Sequence, residues 1–192
     1  MRKIRTREEE ERIKKRNQWI IGGILVFIMI GSGFGIMVNS FGKNTNSRNA
    51  IQYNGFEFFS NQGFWVTNIS NNFFVFRYLP NETGFNSKIT NLKDIRNYFD
   101  EPLYVYSKND EAKSIVFLNM NKVALRIQDA CPLNETCEGN VPIKDCTNNF
   151  IIIKESNTTN INQSQNCVFI TAPKSKLVKT TEEFFYQLLG IK

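Results

Sequence analysis

The sequence predicts an α+β protein in which an N-terminal transmembrane helix is followed by one mixed sheet-and-helix domain with two disulfides. Three observations predict this class. A run of 20 residues without charge, Trp19–Val38, lies near the start of the 192-residue chain. Aromatic and β-branched runs then alternate with short turn-like segments, as strands do. Later segments repeat apolar residues at helical spacing.

The charge-free run is long enough to cross a membrane. At 1.5 Å per residue, a helix of this length spans about 30 Å, which is the thickness of a bilayer's hydrocarbon core. A cleaved signal peptide is the alternative, but the run exceeds the usual h-region of about 7 to 15 residues and no small-x-small cleavage site follows it. We assign a charged tail to 1–18, a transmembrane signal anchor to 19–41, a flexible tether to 42–50 and a folded domain to 51–192.

The orientation of this helix follows from the basic residues beside it. Residues 2–16 contain eight Lys and Arg, whereas the segment after the span contains only Lys43 and Arg48. Basic residues stay on the cytoplasmic side. We therefore expect a single-pass protein of the cell membrane, with the lipid bilayer as a partner, a cytoplasmic N-terminus and an extracellular C-terminal domain.

The net charge of +6 suggests nucleic-acid binding at first sight. Most of the excess lies in the tail, however, where topology explains it, and the four glutamates Glu8–Glu11 would oppose phosphate contact. We expect no nucleic-acid partner. Gly31 and Gly35 form a G-x-x-x-G motif that would let two membrane helices self-associate, although glycine is common in such helices for other reasons.

The first half of the outer domain is predicted to form strands followed by a helix. Aromatic and β-branched runs at 51–59, 64–69 and 73–79 are separated by short polar turns, which predicts a three-stranded antiparallel meander. Apolar residues between Ile89 and Phe99 then recur at helical spacing. Pro102 disfavours any continuation of that helix.

A strand, a helix and a second strand follow. The strand is predicted at 103–107, the helix at 111–120 with Asn109 and Asp110 as caps, and the second strand at 123–127. This order is compatible with a parallel crossover unit.

The last third contains two apolar strands, 150–154 and 167–171, joined by the polar stretch 155–166. A final helix is predicted to begin near Thr180, with Glu183 completing a capping box, and to end at Gly190.

The four cysteines all lie on the expected outer side. An even number in an oxidising compartment indicates two disulfides, for which three pairings exist. We favour Cys131 with Cys137 and Cys146 with Cys167, because the second bridge would tie the loop to the strand that begins at Cys167. A four-cysteine zinc site is the alternative, but the usual C-x₂₋₄-C spacing is absent. We expect no metal and no cofactor.

Five N-x-[ST] triplets could accept N-linked glycans. They begin at Asn68, Asn81, Asn134, Asn157 and Asn162. The number is only slightly above chance for a chain this rich in Asn, Ser and Thr. Asn157 and Asn162 fall in the predicted loop 155–166, where a glycan would find room.

The residues offer no catalytic constellation. The chain has no His, which excludes Ser-His-Asp and Cys-His nucleophiles and imidazole metal ligands. The neighbouring carboxylates Asp100-Glu101, Asp110-Glu111 and Glu182-Glu183 point in different directions in a regular helix or strand, so we interpret them as helix-capping or solvated residues. We expect no enzymatic activity.

Several short motifs resemble those of uncharacterised single-pass membrane proteins from small-genome archaea. They are Tyr53–Phe56, Arg126–Cys131, Pro142–Cys146, Asn166–Val168 and Phe185–Ile191. The resemblance covers the whole chain and implies no activity or site.

These features favour an envelope protein that presents a disulfide-bonded domain outside the cell for adhesion, assembly or partner binding. Two alternatives remain open. One is a membrane-tethered hydrolase that uses two carboxyl groups facing each other across a cleft. The other is a pilin-like subunit, although the small residue expected before the apolar run is replaced by Arg16-Asn17-Gln18.

Overall fold

The computed structural model describes residues 50–84, 87–137 and 139–191. The predicted tail, the predicted transmembrane helix with Gly31 and Gly35, and the tether up to Asn49 lie outside these ranges. None of the helices within them combines the length and the apolar character needed to cross a bilayer. This part of the chain is a mixed α+β structure with two disulfides, as predicted.

The first sheet is an antiparallel meander in which each strand pairs with the next. Its strands are β1 (Ala50–Tyr53), β2 (Phe56–Asn61), β3 (Phe64–Ile69) and β4 (Asn72–Phe76). The predicted number of three strands is wrong, because Asn54 and Gly55 turn the first run into a hairpin. Their φ angles of 46° and 82° are both positive, which is the two-residue turn geometry that matches strand twist.

The second sheet has six strands in the order β5-β11-β12-β10-β6-β7. Four neighbours, β12, β10, β6 and β7, run parallel, and β11 and β5 run opposite to them. The strands are β5 (Lys88–Thr90), β6 (Pro102–Ser107), β7 (Arg126–Asp129), β10 (Asn149–Glu155), β11 (Asn160–Ser164) and β12 (Cys167–Ala172), and a separate short pair is formed by β8 (Cys131–Pro132) and β9 (Ile143–Lys144).

The described residues also form three α-helices: α1 (Pro80–Thr83), α2 (Asp110–Met120) and α3 (Leu177–Leu188). The predicted parallel crossover is confirmed, since α2 joins β6 to its parallel neighbour β7. Asn109 caps α2 by accepting a hydrogen bond from the amide of Ala112 at 2.9 Å. The strand predicted at 123–127 instead begins at Arg126.

The helix predicted over 89–99 is wrong. Ile89 lies in β5 and pairs with Ile161 of β11, and the only helical turn in this segment is a 3₁₀ turn at Ile95–Tyr98. The predicted polar loop 155–166 is also wrong, because it contains β11. The helix does not form because residues 88–90 pair with the edge of β11, and this strand pairing outweighs the helical spacing of the side chains.

Helix α3 is the centre of the core and is buried on all sides. It packs against β12, β10 and β11 on one side and against α2 and α1 on the other. The ring of Tyr186 lies 4.3 Å from that of Phe76 and 6.1 Å from that of Phe58, so the meander packs on the same helix. The helix therefore joins both sheets into one core.

The end of α3 follows the prediction, but its beginning does not. Gly190 adopts φ 74°, and the amides of Gly190 and Ile191 donate to the carbonyls of Gln187 and Tyr186, as in a Schellman motif. The helix begins at Leu177, not near Thr180. Glu183 consequently lies inside the helix and forms no capping box.

Candidate functional site

The cysteine-rich segment covers one face of the six-stranded sheet. Cys131 is bonded to Cys137 and Cys146 to Cys167, which is the pairing favoured from the sequence. Cys167 is fully buried at the first position of β12, among Tyr104, Tyr106, Phe150 and Ile152 of the same face. Within the described ranges, no three Cys, Asp or Glu side chains are grouped in a way that could hold a metal ion.

The five glycan acceptors differ in accessibility. Asn68, Asn81, Asn134 and Asn157 are exposed. Asn162 does not lie in a loop as predicted: it is half-buried in the middle of β11, and its side-chain oxygen accepts a hydrogen bond from the hydroxyl of Thr90 at 2.7 Å.

Glu182 and Glu183 depart most from the sequence interpretation, because they are buried rather than solvated. Glu182 accepts hydrogen bonds from the backbone amides of Arg77 and Tyr78. Glu183 accepts from the amide and the hydroxyl of Ser87, at 3.0 and 2.5 Å. The two carboxylates attach the segment after β4 to α3.

Burial raises the pKa of Glu182 to about 7, against the opposing effect of the two backbone amides. A carboxyl group with such a pKa could serve as a general acid. Its side chain is inaccessible to solvent, however, so no substrate can reach it. We therefore interpret Glu182 as a structural residue.

A groove of 660 Å³ in the described part of the chain is lined by both apolar and polar residues. Residues of four segments line it: the β3–β4 hairpin, residues 89–99, the connection between α2 and β7, and the end of α3. Its apolar lining consists of Ile69, Phe74, Ile89, Leu92, Ile95, Phe99, Val123, Leu188 and Leu189. This volume and lining are typical of a binding pocket.

The wall formed by residues 89–99 is held in place by polar side chains of β11 and of the turn that follows it. The amide of Lys93 donates to the side chain of Gln163 at 2.8 Å, and its ammonium donates to Asn166 at 2.6 Å. Asp94 accepts from the amide of Arg96 and starts the 3₁₀ turn. Phe99 lines the groove, and 48% of its surface is exposed. The groove is thus preformed and has an aromatic residue available to a partner.

A smaller crevice of 320 Å³ lies at the carboxyl ends of β6 and β10. Glu135, from the disulfide-bonded segment, crosses it: its carboxylate accepts from the ammonium of Lys154 at 2.6 Å and from the hydroxyl of Tyr106 at 3.2 Å. The hydrogen bond from Lys154 lowers the pKa of Glu135, so this carboxylate is ionised at neutral pH. Lys108 and Glu155 also line the crevice.

The sequence predicted neither the groove nor the crevice. The apolar residues of 89–99 carried a signal, but they were interpreted as the buried face of a helix. The crevice had no signal in the sequence, because Tyr106, Glu135 and Lys154 come from three segments that only the tertiary structure brings together.

No protein-family model, curated protein or solved structure matches the chain. The function is therefore inferred from the groove, the crevice and the disulfides.

Proposed function

We propose that this chain is a single-pass, membrane-anchored envelope protein that presents its disulfide-bonded domain outside the cell and binds a partner there, without catalysis. The partner's apolar side chains occupy the groove lined by Leu92, Ile95 and Phe99. The protein thus serves adhesion or assembly.

The extracellular location is supported by the cysteines. All four are paired in disulfides. Disulfides persist in oxidising compartments and are rare in the cytosol. The same orientation is expected from the basic residues before the apolar run at 19–38.

The observation that carries the binding role is the groove of 660 Å³, in which apolar side chains lie beside polar ones. A protein interface is dominated by a few apolar or aromatic side chains that fill well-formed pockets. The groove offers such a pocket, and Lys93, Asp94 and Gln187 add polar groups that could orient a partner.

The topology is tested in intact cells. We expect added protease to degrade residues 51–192, and a membrane-impermeant thiol reagent to label the four cysteines only after reduction. A protected domain with reduced cysteines would overturn the proposed function.

The groove is tested by site-specific photo-crosslinking in the native membrane. A photoreactive residue at Phe99 should give a discrete cross-linked product, whereas one at Leu118, which is 53% exposed on α2 outside the groove, should not. Leu92→Asp should abolish the product from position 99, because it introduces a charge into the groove. The matched change Leu125→Asp, at an exposed residue outside the groove, should leave it intact. Equal products from positions 99 and 118 would contradict binding in the groove.

A further inference from the structure

The solvent-facing side of the meander carries an exposed apolar patch. Side chains alternate between the two sides of a strand, so Phe59, Phe64, Val66 and Val75 lie on the side opposite to the one that buries Phe58. Phe59 is 44% exposed and Phe64 40% exposed, and the two valines are half-buried. These four residues are called the meander patch below. A contiguous exposed apolar surface of this kind marks a contact with a partner or a membrane.

The meander patch lies at the end of the sheet where the chain enters it. Ala50, the first residue of β1, pairs with Phe59. Phe59 pairs in turn with Val66. Phe64 lies beside them, next to the β2–β3 turn. The patch and the point of entry of the chain are therefore neighbours.

The same side of the sheet becomes more polar further from the point of entry. The next row of side chains along the strands consists of Gln52, Glu57, Asn68 and Phe73. The ring of Phe73 lies under the ammonium of Lys122, at 5.7 Å from the ring centroid. The uncovered apolar side chains on this side of the meander are thus concentrated where the chain enters.

The length of the preceding chain limits how far this end can lie from the proposed membrane anchor. Eight residues, 42–49, separate Ala50 from the predicted transmembrane segment 19–41. Eight residues reach at most about 29 Å when fully extended. With the anchor in the bilayer, the meander patch therefore stays within reach of the membrane surface.

We propose that the meander patch docks on the bilayer in which the chain is anchored, with Phe59 and Phe64 inserted at the boundary of headgroups and acyl chains. This inference rests on the anchor in the proposed function. Four partly exposed side chains provide far less than the roughly 800 Å² per partner of a standard protein interface. A patch that its own chain holds beside a bilayer needs less area, because the tether raises its effective concentration at the surface.

Docking of this end also decides where the groove lies. Successive turns of an antiparallel meander lie at opposite ends of the sheet. The β3–β4 turn, which contributes Ser70 and Asn72 to the groove, is therefore at the end opposite to the β2–β3 turn. Contact between the meander patch and the bilayer leaves the groove at the end away from the membrane, where a partner outside the cell can reach it.

The test is photo-crosslinking of the full-length chain in phosphatidylcholine vesicles that contain a radiolabelled phosphatidylcholine. A photoreactive residue at Phe64 should give a radioactive lipid adduct. The control position is Leu133, which is 70% exposed in the disulfide-bonded segment. It should give about tenfold less adduct, since burial of one aromatic ring changes a contact equilibrium by at least that factor.

A charge in the meander patch should prevent docking. Phe59→Asp should reduce the adduct from position 64 about tenfold, because the carboxylate opposes transfer from water into the bilayer. Leu133→Asp is the matched control and should leave this adduct unchanged. A thiol reagent that reacts with each variant only after reduction shows that both disulfides have formed, so a lost adduct is not a result of misfolding.

Alkaline extraction of the vesicles separates this proposal from the proposed function. A chain that resists extraction but gives equal adducts at positions 64 and 133 would overturn the docking and leave the anchor intact. A chain that extraction releases would overturn the anchor and, with it, the docking. A covalent dimer in place of the lipid adduct would show that a second copy occupies the meander patch, and would also overturn the proposal.

Discussion

Asn119 on α2 and Val75 on β4 exchange two hydrogen bonds. The amide of Val75 donates to Oδ1 of Asn119 at 2.7 Å, and Nδ2 of Asn119 donates to the carbonyl of Val75 at 2.9 Å. Since β4 is the last strand of the meander, no further strand pairs with its outer edge. The buried side-chain amide of Asn119 therefore makes the hydrogen bonds that a neighbouring strand would otherwise make with β4. It also joins the meander to α2.

Asn119→Ala should lower the free energy of unfolding by about 2 to 4 kcal/mol, because it leaves two backbone groups of Val75 without partners. Urea unfolding of the full-length chain in detergent, followed by the fluorescence of Trp65 in β3, measures this.

Asn121→Ala is the matched control, since the exposed Asn121 lies just beyond the same helix. Its effect should stay within about 0.5 kcal/mol. Equal effects of the two substitutions would show that the contact with Val75 contributes nothing.

Glu182 should make stability depend on pH. Its pKa is raised from 4.5 to about 7 in the folded protein. Between these two values the folded state binds more protons than the unfolded state, so stability falls as the pH rises through this window and levels off above it. The size of the effect is of the order of 3 kcal/mol.

Glu182→Gln should remove this component, and the difference between the two stability curves isolates it from other titrating groups. The control is Glu57→Gln on β2, where the side chain is exposed. A slope that persists in Glu182→Gln would mean that another group causes it.

The two disulfides should contribute unequally to the free energy of unfolding. Cys146–Cys167 closes a separation of 21 residues and Cys131–Cys137 one of 6. Chain entropy assigns about 3 kcal/mol to the first and about 2 kcal/mol to the second. Cys167 is also fully buried. Replacing both cysteines of each bridge by Ser, one bridge at a time, should lower the urea midpoint more for Cys146 and Cys167. The reverse order would contradict the entropic argument.

Asn157 and Asn162 should differ in whether they carry a glycan. A glycan on Asn162 would have to grow from a half-buried amide in β11, between β5 and β12, whereas Asn157 is exposed. If the source cell glycosylates this chain, mass spectrometry of glycopeptides should find modification at Asn157 and none at Asn162. A glycan attached to Asn162 would show that modification precedes folding of the sheet.

The spacing of residue types along the chain predicted those elements whose structure depends on local interactions. The crossover β6-α2-β7, the apolar strands β10 and β12 and the end of α3 at Gly190 were predicted, because each depends on neighbours in sequence. The hairpin at Asn54-Gly55 also had a local signal, since Asn-Gly favours a two-residue turn. The run 51–59 was nevertheless interpreted as one strand because of its aromatic residues.

Residues 89–99 show where local pattern misleads. Ile89, Leu92 and Ile95 have helical spacing, but the open edge of β11 pairs with residues 88–90, and the other apolar side chains line the groove. β11 itself was missed because Asn160, Asn162 and Ser164 make it look like a loop.

The sequence by itself determined the α+β class and the absence of histidine chemistry, and it favoured the observed disulfides among three possible pairings. Only the tertiary structure decided the burial of Glu182 and Glu183 and the meeting of Tyr106, Glu135 and Lys154. The physical reason is that a charge removed wholly or partly from water is tolerated only where partners compensate it. Those partners, the backbone amides of residues 77, 78 and 87 and an ammonium from another strand, come from distant parts of the chain.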